Sequence, residues 1–232
     1  YDTDVAPNTQ AGEELGFLKQ IAASSLQYAN VIQTGASKGT NSLTYPSTSL
    51  GRQLGIVAKL ISGGMNTPIY LVNIGGFDTH ANQLTQHANL WKTISEAVAT
   101  FQTDMDNQNL SDYISIMTYS EFGRRVNQNG TAGTDHGTAA PMFFIGKTVR
   151  GGLIGPNPSL KNLDSNGDLK FTYDYRQVYS TVLRDHLGLD NVRTQQIFKT
   201  TFERLPIYRN SPEALPEAIV MELIAPWPNP TS

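Results

Sequence analysis

Apolar positions along this chain recur with two periods, and each period predicts an element. From Glu13 to Thr34, Leu15, Leu18, Ile21, Ala22, Leu26, Ala29 and Ile32 follow helical spacing, so a first helix is expected there. A second is expected from Leu50 to Ser62, where Leu50, Leu54, Val57, Ala58 and Ile61 share a face and Gly63-Gly64 ends the run. The longest stripe, from about Thr79 to Asp106, carries Leu90, Trp91, Ile94, Ala97, Val98, Phe101 and Met105. Tyr175 to Leu187, stopped by Gly188, and Arg193 to Phe202 add two shorter helices.

Between the helices lie short unbroken apolar runs, the pattern of strands buried on both faces. They are Ile69 to Ile74, followed by a Gly75-Gly76 turn; Tyr113 to Tyr119; and Pro141 to Ile145, closed by Gly146. Strand, long helix and strand in succession predict a right-handed crossover and therefore a parallel sheet. The expected fold class is α/β, a parallel sheet flanked by helices. Gly35 to Ser49 and Asn127 to Thr134 are rich in turn formers and read as loops. Asp164, Asn166 and Asp168 alternate like calcium-loop ligands. Leu169 and Tyr175 stand where that loop needs a glycine and a closing carboxylate, so a hairpin turn about Asn166-Gly167 is the reading adopted.

The expected organisation is an N-terminal helix and loop (1–49) belonging to the same domain, an α/β core (50–205) and a linker (206–232). Pro212, Pro216, Pro226, Pro228 and Pro230 break up that last stretch around one strand-like run, Ala218 to Ile224.

The chain has 232 residues, 39% of them hydrophobic, enough for a full core, while only 16% are charged. Asn, Gln, Ser and Thr make up the polar remainder, a surface that points to an exported protein. A net charge of −3 offers no footprint for nucleic acid, and no apolar run reaches the length of a transmembrane segment. With no cysteine, disulfides, thiolate metal sites and a cysteine nucleophile are all excluded. Tyr1-Asp2-Thr3-Asp4 is neither an initiator methionine nor a signal peptide, so a processed product or a missing upstream segment is expected.

Open α/β sheets collect ligands just past the carboxyl ends of their strands. Asp78 and His80 follow the first run, Glu121 follows the second, and Asp135-His136 sits at the entry to the third. Carboxylate oxygens and imidazole nitrogens suit divalent metals, so Asp78, His80, Glu121, Asp135 and His136 are the candidate ligands. Each has an ordinary alternative: Asp78 as a helix cap, Glu121 in a surface pair with arginine, Asp135 as a cap of its own loop. His87 lies seven residues beyond His80, about two helical turns away, and is expected to support the ligand set or to face solvent. His186 is expected at a solvent-facing helix end. Arg124 has the fork that matches phosphate, sulfate or carboxylate oxygens. Thr79 and Ser120 bring hydroxyls into these segments without the strained glycine-flanked turn of a hydrolase serine. No dinucleotide fingerprint or phosphate-cradling loop is present.

Four ordered motifs, GGFDTHANQ, SEFGRRVNQNG, GTDHGTAAPMFFIG and VRGGLIG, resemble the bacterial domain-of-unknown-function family 1501 over roughly Leu50 to Leu205. That family is grouped with the alkaline phosphatase-like superfamily of phosphatases, sulfatases and cofactor-independent phosphoglycerate mutases. The resemblance implies the C-terminal half of that fold, with two divalent ions (zinc, manganese or calcium) held by Asp and His on loops. Asp78 and His80 are similar to the superfamily's first metal pair, at closer spacing than usual. Asp135-His136-Gly137 matches its Asp-His-Gly motif in wording; alternatively His136 stands for the last histidine ligand and Glu121 for the middle one. The resemblance also implies an upstream half, with the nucleophile before Tyr1, as a partner of the site. Trp227-Pro228-Asn229-Pro230-Thr231-Ser232 resembles the opening of the Bacteroidetes type IX secretion sorting domain. That implies an extracellular or cell-surface location and the secretion machinery as a partner. Two functions are therefore expected: a metal-dependent phosphate- or sulfate-ester hydrolase, or a non-catalytic surface or cargo protein retaining the fold.

Overall fold

A computed structural model describes residues 7–209. The linker beyond Arg209, the proline-broken run, the sorting-domain likeness and the opening tetrapeptide lie outside the described residues. Short polar side chains set most helix starts by accepting an otherwise orphaned backbone N–H. Thr9 caps α1 (Gln10–Lys38), Thr48 caps α2 (Ser49–Ser62), Asp174 caps α4 (Tyr175–Asp185) and Asp190 caps α5 (Asn191–Phe198). The long helix α3 (Gln83–Asn107) has no such cap: Asn82 enters it in the left-handed conformation, φ 48°. It therefore starts four residues later than the stripe suggested.

The larger core lies between α2 and α3. Leu50, Leu54, Val57 and Ala58 meet Ala97, Phe101 and Met105, and Tyr70, Val72, Ile74, Ile114 and Ile116 close over them. A buried carboxylate pins the preceding loop to this pair. Asp104, 0% exposed, accepts from the Ser42 amide (2.8 Å) and hydroxyl (2.7 Å), the Tyr45 hydroxyl (2.8 Å) and the Gln108 amide (2.7 Å). A smaller cluster gathers Val149, Val178, Leu205, Ile207 and Tyr208 under Phe144 and Tyr173. His186 caps the end of α4 there and stacks on Tyr208 (5.4 Å, 9°), partly buried rather than facing solvent as its position suggested. The apolar stripe of α1 finds little cover. Its C-terminal end packs on α2, where Gly35 lies against Met65, while Phe17, Leu18, Leu26 and Tyr28 remain exposed.

The expected parallel sheet is absent from the described residues, and the α/β class with its alkaline phosphatase-like half fold is corrected accordingly. Two small antiparallel sheets take its place. In one, β1 (Ile116–Met117) pairs with β4 (Phe144–Ile145), Ile116 opposite Ile145. In the other, β2 (Gly123–Gln128) pairs with β3 (Thr134–Gly137) as a hairpin, with a register shift between Arg124 and Gln128. The chain from Ile69 to Ile74 forms no ladder; its main chain is held at Asn73, where the Gln53 side chain bonds the N–H and C=O at 3.0 and 2.9 Å. The apolar runs were read as strands buried on both faces, and this is corrected as well: Ile69 and Leu71 are exposed while Tyr70, Val72 and Ile74 pack on the core. Pairing is decided by which main-chain groups meet, and a run of side chains does not carry that information. The Asp164–Asp168 turn forms as expected, closed by Asp164 N–H to the Asp168 carbonyl (2.9 Å) with Gly167 at φ 79°, although no strands flank it.

A candidate metal centre where the hairpin meets the start of α3

The β2–β3 hairpin docks its tip on the segment that leads into α3. Main-chain bonds run from Asn82 to Thr131 (3.1 Å), Gln83 to Ala132 (2.9 Å) and Thr134 to Thr79 (3.4 Å). Asn129 organises the tip: its side-chain oxygen accepts from Thr131 and Gly133, and its Nδ2 donates to the His80 carbonyl (2.9 Å), which Thr131 Oγ1 also reaches (2.5 Å). Gly133 is required by this contact, because a Cβ there would fall 2.2 Å from the His80 carbonyl carbon. The stretch that its turn formers marked as a loop is therefore the clamp that fixes His80.

Docking brings distant side chains together. Asp78 Oδ1 lies 2.7 Å from His136 Nε2 and 3.0 Å from His80 Nε2. One ligand atom from each of Asp78, His80 and His136 falls within 4.8 Å of the others, all three side chains being exposed. Phe122, at the base of β2, lies flat on His136 at 3.8 Å and 6°. The hydrogen bond from His136 holds the Asp78 carboxyl below its usual range; some loss of hydration opposes this, and the charges of His80, His136 and Arg124 assist it. The carboxylate therefore stays ionised, the form that accepts a cation.

The other expected residues divide. Asp135 Oδ1 lies 3.4 Å from His80 Nδ1, on the side of the ring away from Asp78. It stands where an outer carboxylate orients a ligating imidazole. Glu121 is exposed and lies outside the three-residue group. Arg124 does not present its fork to solvent. Its Nη1 donates to the Thr134 carbonyl (2.6 Å) and its Nη2 to the Phe77 carbonyl, with Asp78 Oδ1 at 3.5 Å and the ring of Phe122 beneath. It ties the Asp78 segment to β3. His87 turns inward, its Nε2 3.0 Å from the hydroxyl of Thr79, which is 2% exposed, and its ring edge-on to Phe77. Burial, aided by Arg124, pushes its pKa below the ordinary value. Thr79, Phe122 and Asn129 were not singled out as site supports from sequence. Their signal was position within the same motifs, and nothing local distinguishes a bracing side chain from a solvated one.

A family model described as "Protein of unknown function (DUF1501)" matches residues 33–200. The chain belongs to that family. No curated protein and no solved structure matches it.

Proposed function

We propose that this chain binds one divalent transition cation through Asp78, His80 and His136 and uses it to hydrolyse an anionic ester, a phosphate or a sulfate. The carrying observation is the convergence of three ligand atoms within 4.8 Å from two segments more than fifty residues apart. Two imidazoles and one carboxylate fit zinc or manganese; calcium, which takes six to eight oxygens, does not fit this donor set. Three protein ligands on an exposed surface leave room for water and substrate, as catalytic sites do. A cation bound there would supply Lewis acidity and an acidified water. The protein's own part is positioning. Asn129, Thr131 and Asp135 hold His80, Phe122 holds His136, and Arg124 holds the Asp78 turn. The four motifs resemble family 1501, and the grouping of that family with phosphatases and sulfatases supports the ester as substrate; the likeness of Trp227–Ser232 to a sorting-domain opening supports export to the cell surface.

A second reading, a secreted binding or cargo protein with a structural metal, is favoured by one observation. The guanidinium of Arg124 is spent on main-chain carbonyls, so its fork is not turned to a substrate anion. Metal content after dialysis against zinc or manganese, then turnover of p-nitrophenyl phosphate and sulfate, separates the readings. One equivalent of metal with turnover, both lost in His136→Ala, is the expected result. Metal without turnover gives the second reading, and no metal at either ion overturns both.

A further inference from the structure

The motif from Val149 to Gly155 takes no part in the metal centre, and the structure gives it a cavity of its own. Up to Arg150 the chain is tied down. Val149 bridges Tyr208, the Arg150 N–H donates to the Ile207 carbonyl (2.7 Å), and the Thr148 carbonyl accepts from the Arg209 N–H (2.9 Å). Beyond that point the ties stop. Among the described residues, no N–H from Gly151 to Gly155 donates a hydrogen bond within the protein. A surface cavity of about 280 Å³ is lined there by this motif together with Tyr173 and Pro206. Arg150 is the only charged residue of that lining. Neither its guanidinium nor the Tyr173 hydroxyl has a hydrogen bond or ion pair among the described residues.

The glycines divide in what they answer to. Gly155 sits at φ 88°, and a Cβ there would fall 2.7 Å from the Tyr173 ring, so the fold itself requires it. Gly151 has neither reason. Its φ is outside the left-handed region, and a Cβ there would meet nothing within 4 Å. What glycine keeps open at 151 is the approach of another molecule to the main chain.

The lining sets the chemistry of that molecule. One guanidinium balances one negative charge, and its fork matches the two oxygens of a carboxylate. A phosphate or sulfate dianion would leave a charge uncompensated. Leu153 is 89% exposed, and with Ile154 and Pro206 it offers apolar surface that a short aliphatic chain would cover. The volume stands at the small end of the roughly 300–1,000 Å³ usual for ligand sites. We infer that this cavity binds a small aliphatic monocarboxylate. Its oxygens meet the Arg150 guanidinium and the Gly151 N–H, and its chain lies against Leu153 and Pro206. The site shares no residue with Asp78, His80 and His136 and does not depend on the hydrolysis proposed for them.

Calorimetric titration of the full chain with isobutyrate, after metal is stripped by EDTA, tests this. Stripping keeps the anion from binding through a cation at the metal centre. The expected result is one equivalent of isobutyrate bound. Isobutyramide, its uncharged counterpart, should not bind, and inorganic phosphate should bind at least tenfold more weakly. Arg150→Gln and Gly151→Ala should each weaken isobutyrate at least tenfold. Both should leave the urea midpoint unchanged, since the Arg150 side chain has no partner and a Cβ at 151 fits the empty loop. Absence of isobutyrate binding overturns the inference. So does isobutyramide or phosphate bound as tightly as isobutyrate, or an affinity that survives either substitution.

Discussion

Asp104 offers the sharpest quantitative test of how this fold is held. Its carboxylate is fully buried on α3 and accepts four hydrogen bonds, two from Ser42 and one each from Tyr45 and Gln108, over 2.7–2.8 Å. Asp104→Ala leaves these donors facing a void. Breaking one side of a buried, hydrogen-bonded charge costs about 3–5 kcal/mol, which is a large part of the roughly 5–15 kcal/mol that holds a typical domain. Asp104→Asn keeps the shape and one acceptor oxygen, so about half that loss is expected. Burial alone would raise the Asp104 pKa, but the bonds from Ser42, Gln108 and Tyr45 outweigh it and hold the folded value below the ordinary 3.8. The sign follows: a depressed folded pKa adds stability above the unfolded value, and that stability is lost as pH falls through the folded one. Urea unfolding followed by Trp91 fluorescence at pH 7 and again near pH 3 measures both effects. The gap between wild type and Asp104→Asn should be wide at pH 7 and narrower near pH 3, with unchanged m-values. A loss of under about 1 kcal/mol for Asp104→Ala at pH 7 would refute the assignment of this carboxylate as the anchor of the 39–48 loop.

Two further outcomes are expected. Gly133→Ala should loosen the hairpin from His80, because its Cβ would meet backbone at 2.2 Å; metal affinity should fall about tenfold or more while α2 and α3 keep their exchange protection. His186 has the same linkage sign as Asp104 for a different cause: burial against Tyr208 disfavours the charged ring and pushes its pKa below 6.5, so the unfolded chain takes up the proton first. Stability should decline as pH drops through about 6.5, and His186→Phe should reduce that slope without removing it, since His87 is depressed in the same direction.

The sequence by itself determined the helices and the inventory of the site. Apolar spacing located α2 and α4 to within a residue or two, because a stripe at 3.6 residues has few other ways to be buried. The sequence also marked Asp78, His80, Glu121, Asp135 and His136 as candidate ligands, by residue type and by their places beside strand-like runs. Only the tertiary structure decided which strands pair and which of the five candidates meet. Asp135 and His136 are adjacent in β3, yet only His136 joins Asp78, while Asp135 meets the far nitrogen of His80. Arg124 looked free for an anion until two carbonyls from Phe77 and Thr134 closed on it. The stripe of α1 looked like a core face but stayed exposed. Periodicity is a local property written into neighbouring residues, whereas pairing and convergence depend on groups far apart in the chain that meet only once it has folded.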